Sequence, residues 1–189
     1  FYGDYAEAVD IASFESADRI AEVAAESGRD VIVDLAAQAA RPLDRWMKET
    51  GLVELGDELE LTVTLWHVMD DGTDSLNLLN ELFQDYGDKV DYVIARNLGR
   101  GSDFSHLHQS ELVKRANGFN LNLIDIPALH APTMRKIDHI SASFWAAANN
   151  KDDALGPTLG LLERQRVKTW LHKSYAQFDK AHTPAHISR

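Results

Sequence analysis

The sequence predicts an α/β fold: a mainly parallel sheet with helices on both faces in a three-layer arrangement, and a long helix near the C-terminal end. Apolar segments typical of strands alternate along the chain with segments whose apolar residues have helical spacing. Three of the four predicted strands finish at a polar residue, namely Asp34, Asn97 and Asp125. Because the carboxyl ends of parallel strands meet at one edge of a sheet, we expect a polar edge there.

Composition limits the class of protein. A chain of 189 residues with 44% hydrophobic and 26% charged residues is ordinary for a globular protein, and we expect one domain spanning residues 1–189. The absence of cysteine excludes disulfides and thiolate metal sites, and the net charge of -11 argues against a nucleic-acid footprint over the whole surface. With no apolar run near the roughly 20 residues of a membrane span, we expect a cytoplasmic protein. The tail His182-Thr183-Pro184-Ala185-His186 is unlike the basic amphipathic helix that binds membrane surfaces, so we expect no membrane binding.

The first third of the chain predicts a helix, a strand and a second helix. Ser16 is a suitable N-cap for a helix through residue 27, and Gly28 provides its stop. Three β-branched residues then lead into Asp34, which predicts a buried parallel strand over residues 30–34. Proline suits the first turn of a helix, so the next helix is expected over residues 42–50.

The middle of the chain predicts three more strands. Alternating leucine and valine residues indicate a second strand over residues 58–68, and the third and fourth are expected over residues 90–97 and 119–126. The helices between them are predicted at residues 74–86 and 103–116. The remainder is predicted to be helical, over residues 131–137, 141–148 and 157–180.

Three short motifs resemble those of a known family. They are Val31-Ile32-Val33-Asp34, Val93-Ile94-Ala95-Arg96-Asn97 and Ile126-Pro127. With them, residues 15 to 150 resemble the ParA/MinD family of deviant-Walker P-loop ATPases, in particular the MobD- or TraL-like relatives of plasmid mobilisation and conjugative transfer. The resemblance implies a P-loop NTPase-like fold.

The resemblance also implies a site and a function. Asp34 would be the Walker-B acid that holds Mg²⁺ through water, Asn97 would read the edge of adenine, and Pro127 would flank the base. The cofactors would then be ATP and Mg²⁺. The protein would be a homodimeric ATP-hydrolysing switch that acts with a partner in plasmid partition, mobilisation or conjugative transfer.

One family motif is missing. The phosphate loop of the family contains Gly-Lys-Ser/Thr, and this sequence has no Gly-Lys pair. Since the chain begins with Phe1 and the loop precedes Walker B, we expect that an upstream strand, loop and helix are missing, and that these 189 residues alone are inactive. Two alternatives remain: a non-catalytic adaptor that keeps the fold, and an unrelated flavodoxin-like or hydrolase domain.

The last predicted helix is locally basic. It carries Arg164, Arg166, Lys168 and Lys173, which predict either a solvated face or contact with DNA phosphates or an acidic partner.

Two loops also carry polar groups. Gly99-Arg100-Gly101-Ser102 is expected to be a flexible strand-to-helix loop, although it could cradle an anion. Asp70 and Asp71 are expected to be solvated acids in a turn. His106 and His108 have the wrong local spacing for a metal pair, and we expect no zinc site.

Overall fold

The structure is a computed structural model that describes residues 6–36, 38–151 and 158–182. The chain divides into two compact units, Tyr2–Val63 and Thr64–Arg189. Each is described by itself below.

The N-terminal unit contains three helices among its described residues: α1 (Phe14–Ser27), α2 (Ala40–Thr50) and α3 (Leu52–Leu59). Helix α1 begins after Ser13, whose hydroxyl accepts the N–H of Ser16, rather than at the predicted cap Ser16. Gly28 ends α1 in the left-handed conformation, as expected, because glycine has no Cβ to clash there. Trp46 of α2 is the largest buried side chain of this unit, and its Nε1 donates to Asp18 Oδ1 at 2.8 Å.

The predicted strand over residues 30–34 is wrong. Residues 30–36 form neither helix nor strand, and the side chain of Ile32 is 93% exposed. A β-branched run becomes a strand only when a neighbouring strand accepts its backbone hydrogen bonds and its side chains are packed. The described part of the N-terminal unit is helical and supplies no such neighbour.

The C-terminal unit is built on a parallel sheet with strand order β1-β2-β3. The strands are β1 (Thr64–Met69), β2 (Asp91–Asn97) and β3 (Leu121–Ile126). The register places Met69 beside Arg96, and Arg96 beside Asp125. The α/β class, the parallel sheet and the third and fourth predicted strands are therefore confirmed.

Helices connect and cover these strands. They are α4 (Thr73–Tyr86), α5 (Ser105–Gln109), α6 (Glu111–Arg115), α7 (Ala131–His139), α8 (Phe144–Asn149) and α9 (Leu161–His182). Helix α9 packs on one face of the sheet, where Phe178 contacts a cluster of Val93, Ala95 and Ile124. On the opposite face, the Phe83 ring of α4 meets Tyr92 edge-to-face at 4.9 Å between ring centroids. The expected long C-terminal helix is thus present and helps to form the core.

Two of the predicted elements differ substantially from the structure. The predicted strand over residues 58–68 begins only at Thr64, because Leu52, Leu55 and Leu59 also have the i, i+3, i+7 spacing of a helix and form α3. The predicted helix over residues 103–116 is broken at Ser110, whose extended backbone separates α5 from α6. The predicted start of the last helix at Pro157 lies outside the described residues.

In the described part of the chain, no helix is both long enough and apolar enough to cross a bilayer.

Candidate functional site at the carboxyl edge of the sheet

The carboxyl edge, defined here as the ends of β1, β2 and β3 with the loops that follow them, gathers polar groups from three segments. Asp70 and Asp71 follow β1, Asn97 ends β2, and Pro127 follows β3. Asn97 lies beside Ile126 in the parallel register, and Leu98 N donates to the Ile126 carbonyl at 3.0 Å. The structure therefore brings Asn97 and Pro127 to neighbouring strand ends.

The side chain of Asn97 shapes the loop after β2. Its Oδ1 accepts the N–H of Gly99 at 3.0 Å, and its carbonyl accepts the N–H groups of Arg100 and Gly101. This is the local turn that asparagine favours at the end of a strand. Among the described residues, the amide nitrogen of Asn97 makes no hydrogen bond, so two donors remain available at this edge.

Pro127 is held from the other side. Its carbonyl oxygen accepts Nε1–H of Trp170 on α9 at 2.6 Å. The proline ring fixes the backbone angle φ of Pro127. The segment after β3 is therefore held by this ring and by the hydrogen bond from α9, a helix that packs on the sheet.

Asp71 binds the loops after β1 and β2 together. Its Oδ2 accepts the N–H groups of Ser102 and Asp103, at 2.8 and 3.2 Å. These two hydrogen bonds lower the pKa of the Asp71 carboxyl below its ordinary value, because they stabilise the charged form. These N–H groups belong to the loop Gly99-Arg100-Gly101-Ser102 and its neighbour Asp103, which could have cradled an external anion. In the structure they bind the carboxylate of Asp71 instead.

The contact between the loops after β1 and β2 also requires glycine at position 101. A Cβ at this position would lie 2.7 Å from Asp71 N and 2.9 Å from the Phe104 ring. The Gly-x-Gly pattern of the loop is therefore explained at Gly101 by close backbone approach.

Asp70 has a local role. Its Oδ1 accepts Ser75 Oγ at 2.6 Å and the N–H of Gly72 at 2.9 Å, and these bonds lower the pKa of the Asp70 carboxyl. Asp70 therefore fixes the turn into α4.

An ion pair that sequence reasoning did not predict crosses the strand ends. Arg96 forms a two-pronged pair with Asp125, with Nε to Oδ1 at 2.7 Å and Nη2 to Oδ2 at 2.9 Å. Its third nitrogen donates to His108 Nε2 at 2.8 Å, which requires that this ring nitrogen be unprotonated. Asp125 was expected at the polar edge of the sheet, and its carboxylate there is paired with Arg96.

Asp34 does not end a strand. It lies in the exposed, irregular segment 30–36 of the N-terminal unit. Mg²⁺ in nucleotide sites is usually held by one or two carboxylates together with phosphates of the substrate. In the described ranges no three histidine, aspartate or glutamate side chains converge.

The four basic residues of α9 do not share one face. At 3.6 residues per turn, Arg166 and Lys173 lie about 20° apart around the helix, whereas Lys168 lies about 140° from Lys173. Arg164 is partly buried and donates to the carbonyl of Leu159. Only Arg166 and Lys173 therefore combine exposure with a common direction.

Comparisons with family models, with curated proteins and with solved structures find no match to this chain. The ParA/MinD resemblance therefore remains a prediction that depends on the three motifs quoted above.

Proposed function

We propose that this chain is an ATP-binding switch domain of the ParA/MinD type, acting in plasmid partition, mobilisation or conjugative transfer. The observation that carries the proposal is the placement of Asn97 and Pro127 at neighbouring ends of parallel strands. Ligands of open α/β sheets bind outside the carboxyl ends of the strands. The proposal includes a three-layer P-loop-like fold, a cytoplasmic location and a homodimer that acts with a partner.

The chemistry of the base subsite follows from the hydrogen bonds of Asn97. Its oxygen is engaged by Gly99 N, and its amide nitrogen has no partner among the described residues. That NH₂ group would donate to a ring nitrogen of adenine, which is an acceptor. The Pro127 ring would lie against the base as an apolar flank.

The phosphate subsite needs groups that these residues do not contain. In ATPases of this class a glycine-rich loop and its lysine hold the phosphates, and Mg²⁺ bridges them to the Walker-B acid. The resemblance implied that Asp34 is that acid, but Asp34 lies in an irregular segment of the N-terminal unit and does not end a strand, and this sequence has no Gly-Lys pair. Hydrolysis is therefore proposed only for a protein or assembly in which such a loop is present.

Adenosine tests the base subsite without involving the phosphate loop. We expect adenosine to produce chemical-shift changes at the amides of residues 97–99 and to bind with a dissociation constant in the millimolar range. Asn97→Ala should weaken binding at least fivefold, because the donors to the ring are lost. Asn117→Ala, which changes an exposed asparagine in a turn, should leave binding unchanged. Guanosine serves as the comparison ligand.

A non-catalytic adaptor is the second candidate. It is favoured by the missing Gly-Lys pair and by the bonds from the Ser102 and Asp103 amides to Asp71. If adenosine leaves every amide at the carboxyl edge unshifted, or shifts Asn97→Ala as strongly as the unmodified chain, the adaptor is the better conclusion.

DNA contact is the least supported part of the proposal. Arg166 and Lys173 offer two exposed cations about 10 Å apart along α9, a spacing suited to backbone phosphates. Arg164 and Lys168 would contribute less, because they point elsewhere on the helix.

A further inference from the structure

A groove runs between α1 and α3 in the N-terminal unit. Its volume is about 390 Å³. Trp46 and Thr50 of α2 lie between its two walls. The walls are formed by Asp18, Ala21, Glu22, Ala25 and Glu26 of α1 and by Leu52, Leu55 and Leu59 of α3.

The α3 wall is apolar and open to solvent. Leu52, Leu55 and Leu59 follow the i, i+3, i+7 spacing, so they form one stripe along the helix. Leu55 is 37% exposed and Leu59 is 39% exposed. A leucine stripe left in water beside a groove is typical of a surface that another apolar helix face covers.

The α1 wall is acidic. Asp18, Glu22 and Glu26 recur every four residues and therefore also form one stripe. Arg19 lies 3.6 Å from Glu22 and 3.8 Å from Glu26, but all three side chains are substantially exposed and such pairs are weak. The wall keeps a net negative charge.

The acidity of this wall belongs to a strong asymmetry along the chain. Residues 2–63 contain 15 Asp and Glu against 5 Lys and Arg, a formal charge of -10. Residues 64–189 contain 15 against 14, a formal charge of -1. Nearly all of the net charge of the protein therefore lies on the unit that carries the groove.

We propose that this groove binds a basic amphipathic helix of a partner protein. Leucine-like residues on one face of that helix would pack on α3 and Trp46, while its lysines or arginines would face the acidic stripe of α1. A second copy of the acidic unit, or a nucleic acid, would be repelled by the same charge. The acidic stripe spans nine residues, from Asp18 to Glu26, or about 12 Å, which matches two turns of a bound helix.

A designed peptide tests the groove directly. The probe is a fluorescein-labelled, 14-residue helical peptide with leucine on one face and lysine on the other, titrated with the whole chain and followed by fluorescence anisotropy. We expect micromolar binding that weakens as salt is raised. The double variant Leu55→Gln/Leu59→Gln should weaken it at least tenfold. Leu78→Gln, which changes a leucine of α4 that is 54% exposed, should not.

The acidic wall has its own variants. Glu22→Gln/Glu26→Gln should weaken binding severalfold and reduce its dependence on salt, whereas Glu81→Gln on the exposed face of α4 should have no effect. A peptide with glutamate in place of lysine should not bind.

Three results would overturn the proposal. A lysine peptide with serine in place of leucine could bind as tightly as the probe, which would show that charge alone attracts it. Leu55→Gln/Leu59→Gln could match Leu78→Gln, which would place the contact elsewhere. The probe could fail to bind while Leu55→Gln/Leu59→Gln lowers the melting temperature, which would mean that the chain already covers this groove itself.

Discussion

Asp71 and Gly101 together allow the loops after β1 and β2 to approach each other. The Asp71 carboxylate accepts two backbone N–H groups of the second loop, at Ser102 and Asp103. The missing side chain at Gly101 is what allows that loop to approach. The position of Asn97 depends on this arrangement, because the Asn97 carbonyl accepts the N–H of Gly101.

The first prediction is that Gly101→Ala lowers the free energy of unfolding of the C-terminal unit by about 1–3 kcal/mol. The new Cβ would lie 2.7 Å from Asp71 N, so backbone atoms must move apart and the bonds to Asp71 must lengthen. Urea unfolding followed by circular dichroism measures the change.

Gly160→Ala is the matched control for that prediction. Its Cβ would lie 3.4 Å from the carboxylate end of Glu163, a flexible side chain that can give way. We expect a change below about 0.5 kcal/mol. Equal effects of the two alanines would show that the close approach at Gly101 is not what matters.

At the scale of elements, His67 connects β1 to α4. Its Nε2 donates to the Ser75 carbonyl at 2.9 Å, in the first turn of α4. Burial lowers the pKa of His67 below its ordinary value, and the bond to Ser75 offsets only part of this effect. The folded state therefore disfavours the protonated ring relative to the unfolded chain.

The second prediction follows from that lowered pKa. In the unfolded chain His67 takes up a proton as the pH falls below about 6.5, whereas in the folded chain it does so only at lower pH. The unfolded state then binds more protons, so stability falls by at most about 1.4 kcal/mol per pH unit below pH 6.5. Urea unfolding between pH 5 and pH 8 measures the slope.

His67→Gln should remove most of that slope, while His172→Gln, at an exposed position on α9, should keep it. An unchanged slope in His67→Gln would assign the pH dependence to other groups.

The success of the sequence predictions varied with how each element is stabilised. Strand β2 was predicted correctly because its continuous apolar run Tyr92–Ala95 is buried on both faces. Strand β3 has a mixed pattern in which Ile124 is buried, and it pairs with β2. Residues 30–34 have the same composition without a neighbouring strand in their own unit, and composition cannot reveal that difference. Helix α3 was missed because its last leucine, Leu59, also begins the alternating series Leu59, Leu61, Val63 and Leu65.

The candidate site, like the fold, could be predicted from the sequence only in part. That Asn97 and Pro127 follow neighbouring strands could be inferred from the alternation of elements. The pairing of Arg96 with Asp125 could not, because it depends on the register of β2 against β3. The sequence predicted only that Asp71 lies in a turn. Its role in joining two loops could not be predicted, because its hydrogen-bond partners lie more than 30 residues away along the chain.

At the scale of the whole molecule, the two units differ strongly in net charge. The helical unit carries -10 on residues 2–63, and the sheet-containing unit carries -1 on residues 64–189. Repulsion among like charges opposes a compact state, and salt reduces it by shortening the Debye length from about 30 Å at 0.01 M to about 8 Å at 0.15 M. Salt should therefore stabilise the two units unequally.

The third prediction concerns hydrogen exchange of the amides of α1, α2 and α3. Raising the NaCl concentration from 0.01 M to 0.15 M should increase their free energy of protection by about 1 kcal/mol, which slows exchange about fivefold. The amides of β2 and β3, in the nearly neutral unit, should change by less than about 0.3 kcal/mol and serve as the internal reference. Hydrogen exchange read by mass spectrometry resolves both sets in one sample. If both units gain equally, salt acts through general burial of apolar surface rather than through the charge of the helical unit. If the helical unit loses protection, its salt bridges, such as those of Arg19, outweigh the repulsion.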